Sequence, residues 1–230
     1  MQRIITLVVV VAVVLIAGFF YFTRPVGAPT QAVDSVVEKL VPNTETNTSA
    51  TVNEEKVYRI SQAKSEVQFI IGEILNGAPF TAVGNTNEVA GDISISGNQI
   101  TLGGLAVNAK TFKTYSSRRD GAIVRFILKS DQPVNEFITF KPTQPITLGT
   151  PLVDGKEVWV TVSGNLTVSG VTKPAIFAGK IKIEGDNLIV KGYSTVKRSD
   201  FGLKIPELSF IASVDDEVLI YVSVVAEMAK

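Results

Sequence analysis

The stretch that decides the fold reads Val158-Trp159-Val160-Thr161-Val162-Ser163-Gly164-Asn165-Leu166-Thr167-Val168-Ser169-Gly170, followed by Val171-Thr172-Lys173-Pro174-Ala175-Ile176-Phe177-Ala178-Gly179-Lys180-Ile181-Lys182-Ile183-Glu184. Val158, Val160, Val162, Leu166 and Val168 share one parity, and Thr161, Ser163, Asn165, Thr167 and Ser169 the other. A strand turns successive side chains to opposite faces, so this spacing predicts one apolar and one polar face. The alternation restarts with Ala175, Phe177, Gly179, Ile181 and Ile183 against Lys180, Lys182 and Glu184. The pattern reads as a hairpin turning through Ser169 to Pro174.

Similar runs recur outward from this hairpin. Strands are expected at Val57 to Ser61, Ser65 to Ile74, Phe80 to Asn85, Val89 to Ser96, Gln99 to Lys110, Glu136 to Lys141, Asn187 to Lys197 and Glu217 to Met228. Gly97-Asn98 and Gly185-Asp186 are turn dipeptides, and Gly103-Gly104 marks a bulge or a close approach. Ser117-Arg118-Arg119-Asp120 has the form of a capping box. Ile123, Phe126 and Ile127 follow at helical spacing, so one short helix is expected from about Arg118 to Lys129, its apolar face over one mouth of a barrel or packed beneath it. These elements predict an all-β fold: an antiparallel barrel with one short helix.

Residues Ile4 to Phe22 carry no charge, and 14 of these 19 are Ile, Leu, Val or Phe. As a helix the run spans roughly 28 Å, the thickness of a bilayer's hydrocarbon core. It is longer than a signal-peptide core and is read as an N-terminal transmembrane anchor over residues 1–23, with a cleaved signal peptide as the alternative. The slight excess of positive charge before it places the remainder on the extracytoplasmic side, as a single-pass membrane protein. Residues 24–55, broken by Pro25, Gly27, Pro29 and Pro42 and rich in Thr, Asn and Ser, read as a flexible linker, with helical spacing at Val36, Val37 and Leu40. The barrel domain then runs over residues 56–230.

Composition excludes several functions. The 230 residues hold 22 basic and 22 acidic side chains, with no histidine and no cysteine. Balanced charge and scattered basic residues argue against nucleic acid. Lacking His and Cys, the chain has neither the commonest general base nor a thiol nucleophile, and no cofactor or metal is called for. Ser61-Gln62-Ala63-Lys64 matches a Ser-x-x-Lys pattern but sits at a turn between strands, without companion motifs. Asp215-Asp216-Glu217 could offer oxygen ligands to a hard cation, and reads first as a solvated turn.

Arg198-Ser199-Asp200-Phe201-Gly202 ends a strand. It reads either as a strand terminus, with Asp200 capping a turn and Phe201 plugging the barrel, or as a rim that orients a ligand. Together with Gly164-Asn165-Leu166-Thr167-Val168-Ser169-Gly170-Val171-Thr172-Lys173-Pro174, and with Phe69, Gly84 and Gly91 in the opening strands, it resembles the YceI-like family of bacterial lipid- and polyisoprenoid-binding proteins. The resemblance covers about Val57 to Lys230. It implies a lipocalin-like barrel holding a long apolar chain in an internal tunnel, and no enzymatic chemistry. After Arg118-Arg119-Asp120 the family usually has a His-Leu-Arg helix, where this chain has Ala122-Ile123-Val124-Arg125.

The expected function is a membrane-anchored binding protein for an isoprenoid or fatty-acyl lipid. Inward glycines and Ser194 on the strands of Gly164, Gly179 and Gly192 are expected to leave free volume. Phe69, Ile71, Phe126, Phe140, Val160, Leu166, Phe177 and Val190 are the expected tunnel lining, with Phe201 at one end. The alternative is a filled barrel that docks a partner protein. Interior volume separates the two, and the sequence leaves a homodimer open.

Overall fold

A computed structural model describes residue 14 and residues 26–40, 55–206 and 211–229. Twelve strands form one antiparallel sheet: β1 (Lys56–Ile60), β2 (Glu66–Leu75), β3 (Ala78–Thr86), β4 (Val89–Ser96), β5 (Gln99–Asn108), β6 (Phe137–Pro142), β7 (Ile146–Thr147), β8 (Val158–Val168), β9 (Val171–Glu184), β10 (Asn187–Lys197), β11 (Ile211–Val214) and β12 (Glu217–Met228). Eight of them close a ring in the order β1-β4-β5-β6-β8-β9-β10-β12, with β12 returning to β1. The same edge of β12 that pairs Tyr58 to Ile60 of β1 also pairs Glu66 to Ile70 of β2. β2 thus extends the sheet beyond the ring, with β12 and then β11 along one edge and β3 along the other. The inward face of β2 lines the site described below.

The quoted hairpin forms with the expected faces. Val160, Gly164, Leu166 and Val168 are buried, whereas Thr161 and Asn165 are exposed and Trp159 keeps 65% of its surface. The turn is shorter than the sequence suggests. Val168 pairs with Val171, and only Ser169 (φ 49) and Gly170 (φ 77) lie between them. Two successive positive φ values match the twist of the flanking strands. Pro174 is thus inside β9, opposite Asn165. β10 pairs with β9 only from Ala178 onward, so the missing proline N–H falls on an unpaired side. Gly103 is the extra residue of a bulge, because the register shifts between Asp92, opposite Gly104, and Ile93, opposite Leu102.

The helix is shorter and less regular than expected. Helix α2 covers Ser117–Ala122, and Ile123–Ile127 forms a π-helical turn, closed by Leu128 N–H donating to Ile123 O at 2.8 Å. No capping box forms at Ser117. Asp120 accepts instead from the backbone N–H and hydroxyl of Thr114, both at 2.7 Å.

The stretch expected as a flexible linker is, over residues 26–40, docked on the barrel. Helix α1 (Val33–Leu40) places Val33 and Val37 on Ala90 and Ala106, which pair across β4 and β5 and leave a shallow seat on the outer face. A buried polar cluster fixes the segment just before it. Glu136, fully buried, accepts from Thr30 N–H and Thr30 hydroxyl at 2.7 Å each. Lys110 lies 3.8 Å from the same carboxylate and donates to Ala28 O at 2.8 Å. Composition read these residues as unable to order alone; a preformed surface supplies what they lack. Residues 41–54 lie outside the described residues, as does the expected anchor apart from residue 14. Among the described residues no helix is long and apolar enough to cross a membrane.

Candidate functional site

Alternation along β2 turns Phe69, Ile71, Glu73 and Leu75 to one side, where they form one wall of a cavity of about 410 Å³. Ala82, paired with Ile71, adds little bulk from β3. Ala122, Ile123, Ile127 and Leu128 of α2 and the π-helical turn form the opposite wall, as the apolar spacing of that segment requires. Leu203, Ile205 and Pro206, with Val214 and Val218, close a third side. Tyr115 and Arg118 also line the cavity and are exposed, so it opens to solvent beside them.

Polar groups gather on this open side. Arg119 donates from Nη2 to Glu73 Oε1 at 2.6 Å, and only 17% and 6% of the two side chains is exposed. The guanidinium carbon lies 5.2 Å from the ring centroids of both Phe80 and Tyr115, a stacked position that suits its flat, weakly hydrated cation. Nη1 of Arg119 is buried with no acceptor among the described residues. Arg198 donates to three backbone carbonyls, of Asp215, Leu203 and Val214, at 2.9, 3.1 and 3.3 Å. It thereby ties the end of β10 to the β11–β12 turn.

The two readings of Arg198 to Gly202 divide by residue. Arg198 lines the cavity, whereas Phe201 is buried in the core and Gly202 takes a positive φ of 66°. Asp200 is exposed and the capping acid is Asp216, which accepts from the Ser199 N–H at 3.0 Å and the Ser199 hydroxyl at 2.6 Å. Those two bonds hold the Asp216 carboxyl below its ordinary range. This pairing accounts for the acidic run at Asp215 to Glu217 as a turn.

Of the expected lining, Phe69 and Ile71 face the cavity. Phe140, Val160, Leu166 and Phe201 are buried in the core, and Phe177 and Val190 pack against it. Phe126 is half-buried on the π-helical turn and is not part of the cavity wall. The reason is visible at the glycines. A Cβ at Gly164 would strike the Phe140 ring, and one at Gly84 the Phe69 ring, so these positions are seats for aromatic rings and not free space. Gly179 instead lets the backbone of Lys191 and Gly192 approach closely. The Phe140 and Phe177 rings meet edge to face at 4.9 Å and fill that part of the barrel. Those rings crowd the interior beside β6, β8 and β9, where Val162, Phe177 and Val190 stay half-buried, and the cavity lies beside β2 and α2. Glu73, Arg119 and the 203–206 segment were not anticipated. A glutamate on the apolar parity of β2 was the one available signal.

A model of the YceI-like domain matches residues 58–226 of the sequence. The chain belongs to the YceI-like family. Solved structures share the fold of this YceI-like chain. A polyisoprenoid-binding domain from Saccharophagus degradans, implicated in plant cell wall breakdown, superposes with a TM-score of 0.60 at 14% identity, covering 75% of this chain and 98% of that one. BcnA from Burkholderia cenocepacia gives 0.55 at 16% identity over 73% and 99% of the respective chains. Among curated proteins none matches this sequence.

Proposed function

We propose that this YceI-like chain is a binding protein, not an enzyme, that holds a polyisoprenoid or fatty-acyl amphiphile in the cavity beside β2. Residues 4–22 anchor it in a membrane, with the barrel on the extracytoplasmic side. The observation that carries the reading is the cavity itself: about 410 Å³, walled by aliphatic and aromatic side chains, inside a barrel of this family. That volume falls in the range of roughly 300–1,000 Å³ typical of small-molecule sites. Burying on the order of 300 Å² of ligand surface contributes ~7 kcal/mol before association costs, enough for binding without a single polar contact. The Saccharophagus degradans relative, a polyisoprenoid-binding domain, supports the same class of ligand.

The test is native mass spectrometry of the full chain in nanodiscs, before and after addition of prenyl and acyl chains, beside Ile71→Arg. The wild-type chain is expected to carry one amphiphile per barrel. Ile71→Arg, which drives a charge into the apolar wall, is expected to carry none while keeping the β-sheet circular dichroism. A wild-type chain that never takes up a chain, or an Ile71→Arg variant that takes it up equally, refutes the reading.

A further inference from the structure

We infer that the mouth of the cavity is the barrel's docking face for lipid: it sits against the surface of the bilayer that holds residues 4–22, and the amphiphile passes between membrane and cavity there. The inference rests on the anchor and the binding reading proposed above, and adds the direction in which the barrel faces.

The clamp on the N-terminal segment lies at the mouth end. Lys110, which donates to Ala28 O, is two residues from Phe112, whose ring meets Phe69 of the cavity wall edge to face at 5.3 Å. Glu136, which holds Thr30, directly follows the turn Pro133–Asn135, and its carbonyl accepts from Ala109 N–H at 2.8 Å. The two residues therefore flank the stretch that carries Tyr115, Arg118 and the α2 wall of the cavity. From residue 22 to Ala28 is six residue steps, a reach of at most ~22 Å. β5 leads away from the clamp, from Asn108 back to Gln99, over nine steps or ~30 Å. The opposite end of the barrel meets lipid only with that connection drawn straight, whereas the mouth end stands beside it.

The surface at the mouth suits that neighbour. Tyr115 at the opening keeps 67% of its surface, and Val134, two residues before Glu136, keeps 80%. A tyrosine fits the headgroup level of a bilayer, where one part of the ring is apolar and the other wet, and an exposed valine on a turn fits the layer beneath it. Two other surfaces compete less well. The outer side of α1 is polar and spends its groups close by: Lys39 and Ser35 donate to Gln31 at 3.2 and 3.4 Å, and Asp34 accepts from Gln62 at 2.9 Å. Trp159, Ile176 and Tyr193 are exposed on β8, β9 and β10, across the ring from the β4–β5 pair on which α1 is seated, and so face away from the tether. A mouth set on the lipid lets an acyl or prenyl chain enter without exposing its length to water, the step that opposes transfer of an apolar chain.

The test uses the full chain in nanodiscs of phosphatidylcholine and phosphatidylglycerol that contain a nitroxide-bearing lipid. The chain has no cysteine, so each single-cysteine variant carries one environment-sensitive fluorophore. Ser117→Cys and Val134→Cys place it at the mouth, Val153→Cys beside the β9–β10 turn at the opposite end, and Ile176→Cys on the flank across from α1, all at exposed positions. The labels at 117 and 134 are expected to be blue-shifted and quenched by the nitroxide, and those at 153 and 176 to be neither. Should one mouth variant fail to fold, the other decides. Mouth labels left unquenched, or all four quenched alike, overturn this inference and leave the anchor and the binding reading standing. A full chain that does not float with vesicles of the same lipids removes the anchor and this inference together, while the binding reading answers to the mass spectrometry described above.

Discussion

Glu136→Ala is the sharpest test of how the segment before the barrel is held. The substitution removes the acceptor of both Thr30 bonds and leaves the Lys110 ammonium, 7% exposed, with Ala28 O as its remaining partner in this cluster. Stripping one partner from a buried ion pair costs about 3–5 kcal/mol, because the surviving charge stays out of water. For a domain of this size that corresponds to a fall in Tm of roughly 6–20 °C. Thermal unfolding followed by circular dichroism reads the loss. Trypsin reads its location, since Lys39 on α1 becomes a faster cleavage site once residues 26–40 detach. Glu136→Gln, which keeps an acceptor for Thr30, should lose about half as much. The double change Glu136→Leu with Lys110→Met should recover most of the stability, as both charges leave together. A loss below ~1 kcal/mol in Glu136→Ala, or unchanged cleavage at Lys39, would refute the account.

Four further outcomes are expected. Gly164→Ala should destabilise by about 1–3 kcal/mol, since its methyl group meets the Phe140 ring and the Lys141 carbonyl, and chemical denaturation measures it. Tyr58 is almost fully buried and its pKa is raised, by burial first and by Asp186 second, so its hydroxyl stays neutral where an unfolded chain's ionises; stability should fall as pH rises above 10.0, and less so in Tyr58→Phe. The Asp216 carboxyl sits below its ordinary 3.8 because Ser199 donates to it twice, so its contribution is present above that pH and disappears as pH falls through the lowered value; Ser199→Ala should bring the carboxyl's NMR titration back up. Trp159, the single tryptophan, stands on the outside of β8 with Lys180 5.3 Å above its ring, so its emission should be red-shifted and unmoved by ligand uptake.

The ring of strands was legible because β8, β9, β10 and β12 carry their alternation over 11 to 14 residues each, long enough to fix both the element and its inward side. β7, with two residues, and β11, with four, are too short for any period to register. The location of the cavity was harder to read. Parity tells which side chains point inward but not which of them touch space, and the filling of Gly164 by Phe140 is a contact between neighbouring strands that no local pattern encodes. The Glu73–Arg119 pair joins positions 46 residues apart, and α1 owes its seat to two alanines on strands far along the chain. Such pairings are decided by what the rest of the fold brings alongside.

The docking of residues 26–40 sets how far the barrel can wander. With residues 4–22 in a bilayer as proposed, only four residue steps separate residue 22 from residue 26, a reach of at most ~14 Å. Energy transfer from a dye on the barrel to one in the headgroups would report a single short distance, and Glu136→Ala would broaden it. The protein would then behave less like a buoy on a rope than like a lamp bolted to a wall, showing the same flank to the lipids at a constant height.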